Sequence, residues 1–406
     1  MHTFDRSVPA VLLRIDQNPF HHGTLGAVRS LGRAGIGVHL VADRNAGPVV
    51  RSRYLSRTHP APRGHDDENV LEALLRASER ISRRAVLIPM DDLGALAAAR
   101  LRGRLSGRFL LPEQCPQGLE SVADKARLAG LCERYGIAHP TTVCPASARE
   151  AEVAARGLGL PVVAKWSRPW LLPPGAGLRS TRLLRTAPEA AELYERGARA
   201  GAGGALLLQR YLPAGPGRDW FFHGCAGPDG TVRAGGCGRK DRAWPVDAGL
   251  TAVGRWVPNP AVEDTARRLL AMVGHRGIAD LDFRLDPASG AYHLLDFNPR
   301  PGAQFRLFAD GSGLDVVRAL HQDLTDRQAP PGRPRPGRRL VVENYALLSL
   351  LAAPAPRGAG PAHGTEAAWF APDDPAPALA MTAAWGRHAT RRAAAALFRR
   401  SGRRGA

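Results

Sequence analysis

Residues Tyr292–Gly302 read Tyr-His-Leu-Leu-Asp-Phe-Asn-Pro-Arg-Pro-Gly, and their apolar and aromatic start predicts a β-strand that stops at Pro299. Because side chains alternate along a strand, Asp296 and Asn298 project to the same face, and Arg300 follows just beyond the strand. A carboxylate and an amide oxygen are hard ligands that suit Mg²⁺, and a neighbouring guanidinium suits phosphate. The stretch therefore indicates a site that binds a metal ion and a phosphate.

A second strand is predicted upstream of this stretch, at Gly277–Leu285, and it carries Asp280 and Asp282 on one face. The Pro-Ala-Ser-Gly turn between the two strands predicts a hairpin, which would set Asp282 beside Asp296 and Asn298. A single polar residue at a strand end is common and carries no functional meaning by itself. The combination of acidic, amide and arginine side chains on one hairpin favours the metal and phosphate interpretation.

The length and the cysteine content limit the class of protein. A chain of 406 residues is long enough for two or three domains. Its five cysteines are odd in number and include no Cys-x-x-Cys pair, which predicts reduced thiols and a cytoplasmic protein. The N-terminus lacks an apolar signal core, and no run approaches the roughly 18 apolar residues of a membrane span. We therefore expect a cytoplasmic location and no membrane span.

The net charge of +19 would ordinarily suggest a nucleic-acid partner. The charge is almost entirely arginine, however, and it is spread along the whole chain without a nucleic-acid-binding motif. Only 6% of the residues are aromatic, so few side chains could stack on bases. The composition is typical of a GC-rich coding sequence, and we expect no nucleic-acid partner.

Lysine is rare in this chain, and its three occurrences are informative. Of the 56 basic residues, all but Lys125, Lys165 and Lys240 are arginine. A compact ammonium group can reach a phosphate as a point charge where a planar guanidinium cannot. Chance survival is the alternative for any one of the three. Their contexts resemble functional motifs, because Lys125 opens a predicted helix, Lys165 ends a predicted strand, and Lys240 follows the predicted strand Thr231–Gly236.

The first hundred residues show the alternation of a parallel α/β sheet. A strand at Val8–Arg14, a polar loop, a helix at Ala27–Ala34 and a strand at Gly37–Ala42 form a predicted βαβ unit. The loop lacks a G-x-G-x-x-G pattern, which argues against a nicotinamide cofactor. Polar residues after the first and third strands are candidates for binding an acceptor substrate: His22, Gly23, Thr24 and Asp92.

The order of the motifs resembles the ATP-grasp ligases. These motifs are Asp124-Lys125, the strand that ends at Lys165, the Gln-x-Tyr-Leu-Pro run from Gln209, the acidic strand 277–285 and the Asp-x-Asn-Pro-Arg run from Asp296. The resemblance covers about residues 115–310. The carbamoyl-phosphate-synthase-like and D-aspartate-ligase-like ATP-grasp proteins are the most similar in arrangement.

The resemblance implies an α/β fold with a Rossmann-like pre-ATP-grasp domain, followed by a two-lobed ATP-grasp domain whose lobes are α+β. The expected division is 1–115 for the first domain, 116–328 for the ATP-grasp domain (lobes about 116–205 and 206–328), 329–339 for a Pro/Arg linker, and 340–406 for a small C-terminal accessory segment with a basic tail. A loop at Ser167–Thr181 is expected to fold over the phosphates.

The resemblance also implies roles for individual residues. The residues expected to bind ATP are Lys125, Lys165, Gln209, Tyr211, Leu212 and Asp219. The residues expected to hold Mg²⁺ (or Mn²⁺) are Asp282, Asp296 and Asn298. Arg300 is expected to hold the transferred phosphoryl group, and Lys240 and Arg242 are expected to contact that group or a carboxylate.

The implied activity is that of an ATP-dependent carboxylate–amine ligase, which forms an acyl phosphate and releases ADP and phosphate. Its partners would be ATP, a small carboxylate and an amine or a related nucleophile, and a homodimer is left open. The alternative is a catalytically reduced nucleotide-binding regulatory or scaffold protein. The pockets for the carboxylate and the amine are built from loops without a readable motif, so the sequence does not name these substrates.

Overall fold

The computed structural model describes residues 4–245, 249–327, 332–352 and 363–387. In these residues the strands form three sheets, which contain five, four and seven strands in chain order. Among the described helices, none combines the length and the apolar composition that a membrane crossing requires.

The first sheet is parallel throughout, with the strand order β3-β2-β1-β4-β5. Its elements are β1 (Ala10–Leu13), α1 (His22–Arg33), β2 (Val38–Ala42), β3 (Arg57–Pro60), α2 (Asp67–Ile81), β4 (Ala85–Pro89), α3 (Asp92–Arg100), α4 (Arg102–Leu105) and β5 (Phe109–Leu110). β1 is an apolar run that is fully buried, as expected for a central strand covered on both faces. The strand order reverses between β1 and β4, and ligands bind beside the carboxyl ends at such a point. The predicted Rossmann-like sheet is confirmed.

Helix α1 begins earlier than the sequence pattern predicts, at His22 instead of Ala27. The cause is His21, whose side chain accepts a hydrogen bond from the Thr24 N–H and so replaces the usual helix-capping residue types. His22, Gly23 and Thr24 were expected in a loop, and they lie instead in the first turn of α1. The helix therefore presents its N-terminal end at the carboxyl edge of the sheet.

The second sheet is antiparallel, with the order β6-β9-β7-β8. The elements of this region are α5 (Pro116–Ala123), α6 (Lys125–Tyr135), β6 (Thr142–Val143), α7 (Ala148–Leu158), β7 (Val162–Trp166), β8 (Thr181–Leu184), α8 (Ala187–Ala200) and β9 (Leu206–Arg210). The apolar faces of α7 and α8 form one core with the sheet. The sequence prediction assigned residues from 206 onward to the second lobe. Strand pairing corrects this, because β9 lies between β6 and β7.

The third sheet has the order β14-β13-β10-β11-β12-β15-β16. Its region comprises β10 (Asp219–Ala226), β11 (Val232–Trp244), β12 (Leu250–Trp256), α9 (Pro260–Met272), β13 (Gly277–Leu285), β14 (Tyr292–Asn298), α10 (Val316–Leu324), β15 (Arg339–Val341), α11 (Glu343–Ala352) and β16 (Thr365–Ala367). The hairpin of β13 and β14 matches the prediction. The apolar side chains of α9 pack against β10 and β13.

Strand β11 is longer than predicted, and β12 was not predicted at all. The prediction stopped β11 at a glycine-rich run, where the apolar pattern is interrupted. In the structure these glycines make room for aromatic rings: a Cβ atom on Gly238 would lie 2.5 Å from the ring of Phe221. As a consequence, Lys240 and Arg242 lie within the strand and not after it.

The described part of the C-terminal segment joins the third sheet. β15 pairs with β12, β16 pairs with β15, and α11 packs on β11 and β12. The expected accessory lobe beyond residue 340 is therefore corrected to an extension of this sheet. Residues 376–387 are helical. The expected basic tail lies outside the described residues apart from Arg387, and the start of the expected linker, 329–331, lies outside them as well.

Candidate functional site

Four polar side chains project from one face of the hairpin formed by β13 and β14. Asp282 is paired with Asp296 across the two strands, and Asp280 is paired with Asn298. Residues two apart on a strand share a face, so all four lie together. The predicted neighbourhood of Asp282, Asp296 and Asn298 is confirmed.

Two of the three lysines neutralise the carboxylates of this hairpin. The Nζ atom of Lys125 is ion-paired with Asp296 Oδ1. The Nζ atom of Lys240 lies 2.8 Å from Asp282 Oδ1. Burial by itself would raise the pKa of Asp296, but Lys125 and Lys165 outweigh burial and lower it. The charge of Lys125 thus helps to keep the Asp296 carboxylate ionised in a largely buried place.

Arg300 connects the hairpin to the first sheet. Its Nε donates to Asp92 Oδ1 at 3.2 Å, and its Nη2 donates to Asn298 Oδ1 at 3.1 Å. Its Nη1 also reaches Asp280 Oδ2 at 3.5 Å. Asp92 is the first residue of α3, directly after β4. Arg300 therefore joins two parts of the site. One is the carboxyl edge of the parallel first sheet, and the other is the hairpin for which the sequence predicts metal binding.

Asp280 is buried beside a histidine that the sequence did not single out. Its Oδ1 lies 3.4 Å from Nε2 of His223, which is itself fully buried. Burial, followed by the charge of Asp282, raises the pKa of Asp280 to about 8. His223 is a single polar residue within an apolar strand, so the pattern of apolar and polar residues gave no reason to select it.

Lys165 and Gln209 lie together in a narrow gap between the second and third sheets. Lys165 Nζ donates to the Leu295 carbonyl at 2.9 Å, and burial lowers the pKa of this lysine to about 8. Gln209 Nε2 donates to Thr142 Oγ1 at 3.0 Å. Lys125 lines both this gap and the larger cavity described below. The structure therefore brings the two predicted phosphate lysines to the same cleft.

Two of the residues expected to bind ATP, Asp219 and Leu212, contact Arg284, a residue that the sequence did not single out. Arg284 Nε donates to Asp219 Oδ1 at 2.6 Å, and Arg284 Nη1 donates to the Leu212 carbonyl at 3.0 Å. The Tyr211 hydroxyl accepts a hydrogen bond from the Ala214 N–H at 3.1 Å. Tyr211, Leu212 and Asp219 line neither the large cavity nor the gap that contains Lys165.

Arg242 is not brought to the carboxylates. Its Nε donates to Ser349 Oγ at 2.9 Å, and its Nη2 donates to the Ser349 carbonyl at 2.6 Å, both on α11. The strand register shifts between Lys240 and Arg242, so Asp241 forms a bulge. Arg242 was predicted to lie beside the phosphoryl group. The structure corrects this prediction, because Arg242 contacts the C-terminal segment instead.

The hairpin, Lys125, Lys240 and Arg300 face a cavity of about 510 Å³. The opposite wall is formed by the carboxyl edge of the first sheet, including Asp16 and Met90–Leu93. Part of the loop predicted to cover the phosphates closes one side, through Pro169, Trp170, Ser180 and Thr181. Of the predicted acceptor residues, His22, Gly23 and Asp92 line the cavity, whereas Thr24 turns its hydroxyl to the His21 ring.

The oxygen atoms of the hairpin fit a divalent cation. Asp280 Oδ1 and Asp282 Oδ1 are buried without a well-aligned hydrogen bond within the described ranges, and Asp282 has only its ion contact with Lys240. Carboxylate and amide oxygens are the donors that Mg²⁺ prefers. Among the described residues, no group of three or more His, Cys, Asp or Glu side chains forms a metal cluster. The predicted donor set instead combines the carboxylates of Asp282 and Asp296 with the amide oxygen of Asn298.

Known structures resemble this chain over most of its length. A biotin carboxylase from Campylobacter jejuni in complex with a nucleotide covers 82% of the chain and 74% of its own, with a TM-score of 0.60 and 14% identity. An L-amino acid ligase from Bacillus licheniformis has a TM-score of 0.60 with 15% identity, covering 82% and 79%. An N5-carboxyaminoimidazole ribonucleotide synthetase from Thermus thermophilus has a TM-score of 0.57 with 17% identity, covering 80% and 81%. The chain has the ATP-grasp fold.

A curated sequence also resembles this chain. A D-aspartate ligase from Enterococcus faecium is 25% identical over 279 residues, which are 64% of each protein. The chain thus spans less than two thirds of the length of this relative. No protein-family model matches the chain. The prediction of an ATP-grasp fold from the motif order is confirmed by the structural comparison.

Proposed function

We propose that this protein is an ATP-dependent carboxylate–amine ligase that works through an acyl phosphate. The observation that carries the proposal is the convergence of the hairpin carboxylates with Lys125, Lys240 and Arg300 on one cavity. The resemblance to a D-aspartate ligase and to an L-amino acid ligase supports it.

We assign the metal to Asp282, Asp296 and Asn298, which would hold Mg²⁺ or Mn²⁺ through oxygen atoms. When bound, such an ion neutralises charge on the phosphate oxygens. Lys125 and Lys240 pair with the same carboxylates in this structure, so they lie within reach of the phosphates that the ion would attract. Their proximity supports a role in holding the transferred phosphoryl group by point charges.

We assign the nucleotide to the cleft between the second and third sheets. Lys165 and Gln209 line it, and the Tyr211–Leu212 backbone with the Asp219 carboxylate would contact the adenosine at its rim. Lys165 is half-buried, and its lowered pKa of about 8 indicates an ammonium that an anionic phosphate would stabilise. Arg300 would orient the carboxylate substrate or its phosphate, because a guanidinium can make two parallel hydrogen bonds.

The proposed reaction balances in two steps. A carboxylate oxygen of the substrate forms a bond to the γ-phosphorus while the bond to ADP breaks, and ADP leaves with the electron pair. The amine nitrogen then forms a bond to the acyl carbon, the bond to phosphate oxygen breaks with its electrons, and the nitrogen loses a proton to solvent. Catalysis of this kind depends mainly on positioning and electrostatics, so no serine or cysteine nucleophile is required.

Substrate-dependent ADP release tests the proposal. A panel of amino acids and other small carboxylates is added to the protein with MgATP, and hydroxylamine converts any acyl phosphate to a measurable hydroxamate. We expect at least one carboxylate to stimulate both ADP and hydroxamate formation. Asp296→Asn should lower the rate roughly 10²–10³-fold, since it removes a charge from the proposed metal site.

Asp264→Asn is the matched control, because Asp264 is exposed on α9 and away from the cavity. Its rate should equal that of the wild type. ATP binding without carboxylate-dependent ADP or hydroxamate would refute the ligase proposal and favour a regulatory or scaffold protein.

A further inference from the structure

The end of the cavity beside the first sheet contains a carboxylate without a cationic partner. Asp16 follows β1, and its Oδ1 accepts a hydrogen bond from the Asn18 N–H at 2.8 Å. Among the described residues, the ion contact of Asp16 is with His21, whose Nε2 lies 4.0 Å from Asp16 Oδ2; the buried Arg14 guanidinium acts on Asp16 electrostatically but forms no ion pair with it. Burial lowers the pKa of His21 to about 4, so this ring is uncharged at neutral pH. Asp16 is 37% exposed and turns a negative charge to the cavity.

The other cavity aspartates are already engaged. Asp282 and Asp296 are paired with lysines, and Asp92 and Asp280 contact Arg300. Asp91 caps α3 through the Gly94 N–H. A carboxylate that faces a cleft without an ion pair can accept a cationic ligand, because no ammonium or guanidinium of the protein occupies its oxygen atoms.

A second observation at the same end is a buried histidine with an unpaired nitrogen. His22 lines the cavity, is 7% exposed, and its Nδ1 has no hydrogen-bond partner within the described part of the chain. Burial holds the pKa of His22 well below its usual value, so the ring is neutral. Burying an unpaired polar group is costly, and a polar ligand atom would satisfy it.

The C-terminal segment closes this end with aromatic rings. Tyr345 on α11 lines the cavity, and its ring centroid lies 6.4 Å from that of His22. Trp369 packs on the other side of His22 at 6.2 Å, and its Nε1 donates to Asn344 Oδ1. Phe20 and Leu250 add apolar surface to the same wall region. A ligand here would meet one negative charge, one neutral polar group and apolar walls.

We infer that this end of the cavity binds the nucleophile as a small primary amine with an apolar body, an inference that rests on the ligase function proposed above. Asp16 pairs with the ammonium form on binding, and this group loses one proton to solvent before its nitrogen attacks the acyl phosphate. His22 exchanges a hydrogen bond with a polar atom of the substrate, and Tyr345 limits the size of its apolar body. Arg300 Nε lies 3.2 Å from Asp92 Oδ1, and Asp92 lines the same cavity as Asp16, so the amine end adjoins the phosphate end.

The test compares charged and uncharged nucleophiles with the carboxylate that stimulates most ADP release. Primary alkylamines from ethylamine to hexylamine, with benzylamine, are cations at neutral pH, whereas hydroxylamine is not. In Asp16→Asn the KM for the alkylamines should rise at least tenfold relative to the KM for hydroxylamine. Tyr345→Ala should shift the preference to an amine with a longer or bulkier body. Tyr345→Phe, which retains the ring, should keep the wild-type preference.

Asp43→Asn is the matched control. Asp43 follows β2 as Asp16 follows β1, and its Oδ1 accepts the Asn45 N–H at 2.8 Å, but it does not line the cavity. An unchanged KM ratio in Asp16→Asn, equal to that of Asp43→Asn, would overturn the amine site and leave the ligase proposal standing. A wild-type protein that makes hydroxamate from none of the carboxylates would overturn the ligase function and the amine site together.

Discussion

The two ends of the cavity hold acidic residues in different states. At the hairpin end, Asp282 and Asp296 each contact a lysine, so charge is balanced inside the protein. At the end beside the first sheet, Asp16 forms no ion pair with Lys or Arg in the described ranges, and its one ion contact there is with the neutral His21, at 4.0 Å. Both ends line the same cavity, although the chain as a whole carries a net charge of +19.

The difference indicates what each end would bind. A balanced set of carboxylates and ammonium groups can exchange its internal partners for a metal ion and phosphates without a large change in net charge. An unbalanced carboxylate is completed by a cation alone. The comparison therefore predicts that the two ends respond to different ligands and to different substitutions.

The largest expected effect comes from Lys240. Lys240→Met leaves Asp282 without its ion pair and removes a charge from the proposed phosphoryl site, so ADP release should fall roughly 10²–10³-fold. Arg242→Met is the matched control on the same strand, and it should stay within about twofold because Arg242 contacts Ser349 on α11. Rates are compared after thermal unfolding confirms that both variants are folded. Equal losses of ADP release in both variants would mean that Arg242 also acts in the proposed phosphoryl site.

A smaller effect is expected for stabilisation by nucleotide. MgATP at about 100 times its Kd should raise the free energy of unfolding by about 2.7 kcal/mol. Asp296→Asn, or removal of the metal with EDTA, should abolish most of this gain, whereas Asp16→Asn should keep it. Differential scanning calorimetry measures the stability of each protein with and without MgATP. Loss of the MgATP gain in Asp16→Asn would show that the two ends are not separate.

The smallest effect is expected at the contact that fixes the C-terminal wall of the amine end. Asp374 is 1% exposed, forms an ion pair with Arg29 on α1, and accepts a hydrogen bond from Ser52 Oγ at 2.7 Å. Ser52→Ala should lower the free energy of unfolding by about 1–2 kcal/mol, because a buried carboxylate loses one donor. Urea denaturation measures it.

Ser121→Ala is the control for this contact, because Ser121 Oγ donates only to the Gln117 carbonyl within its own helix. It should change stability by less than about 0.5 kcal/mol. A Ser52→Ala protein as stable as this control would mean that the remaining bonds of Asp374 suffice to hold the segment.

Much of the fold follows from local patterns. The strand Gly277–Leu285 and the strand Tyr292–Asn298 lie where the apolar pattern predicts them. The alternation of side chains predicts that Asp282, Asp296 and Asn298 meet, and the pairing of the two strands agrees. The parallel first sheet follows equally from its alternating strands and helices.

Other features depend on contacts that no local pattern contains. A bulge at Asp241 and the arrival of α11 decide that Arg242 contacts Ser349. Strand pairing decides which sheet contains Leu206–Arg210, since an apolar strand fits either neighbour.

By itself, the sequence determined the hairpin, the faces of its strands and the rarity of lysine, because each depends on residues close together in the chain or on simple composition. Only the tertiary structure decided that Asp16 and His22 lie opposite Tyr345, more than three hundred residues later in the chain. The reason is physical: periodicity fixes which face of an element is apolar, but the partner that covers this face is selected by packing of the whole chain.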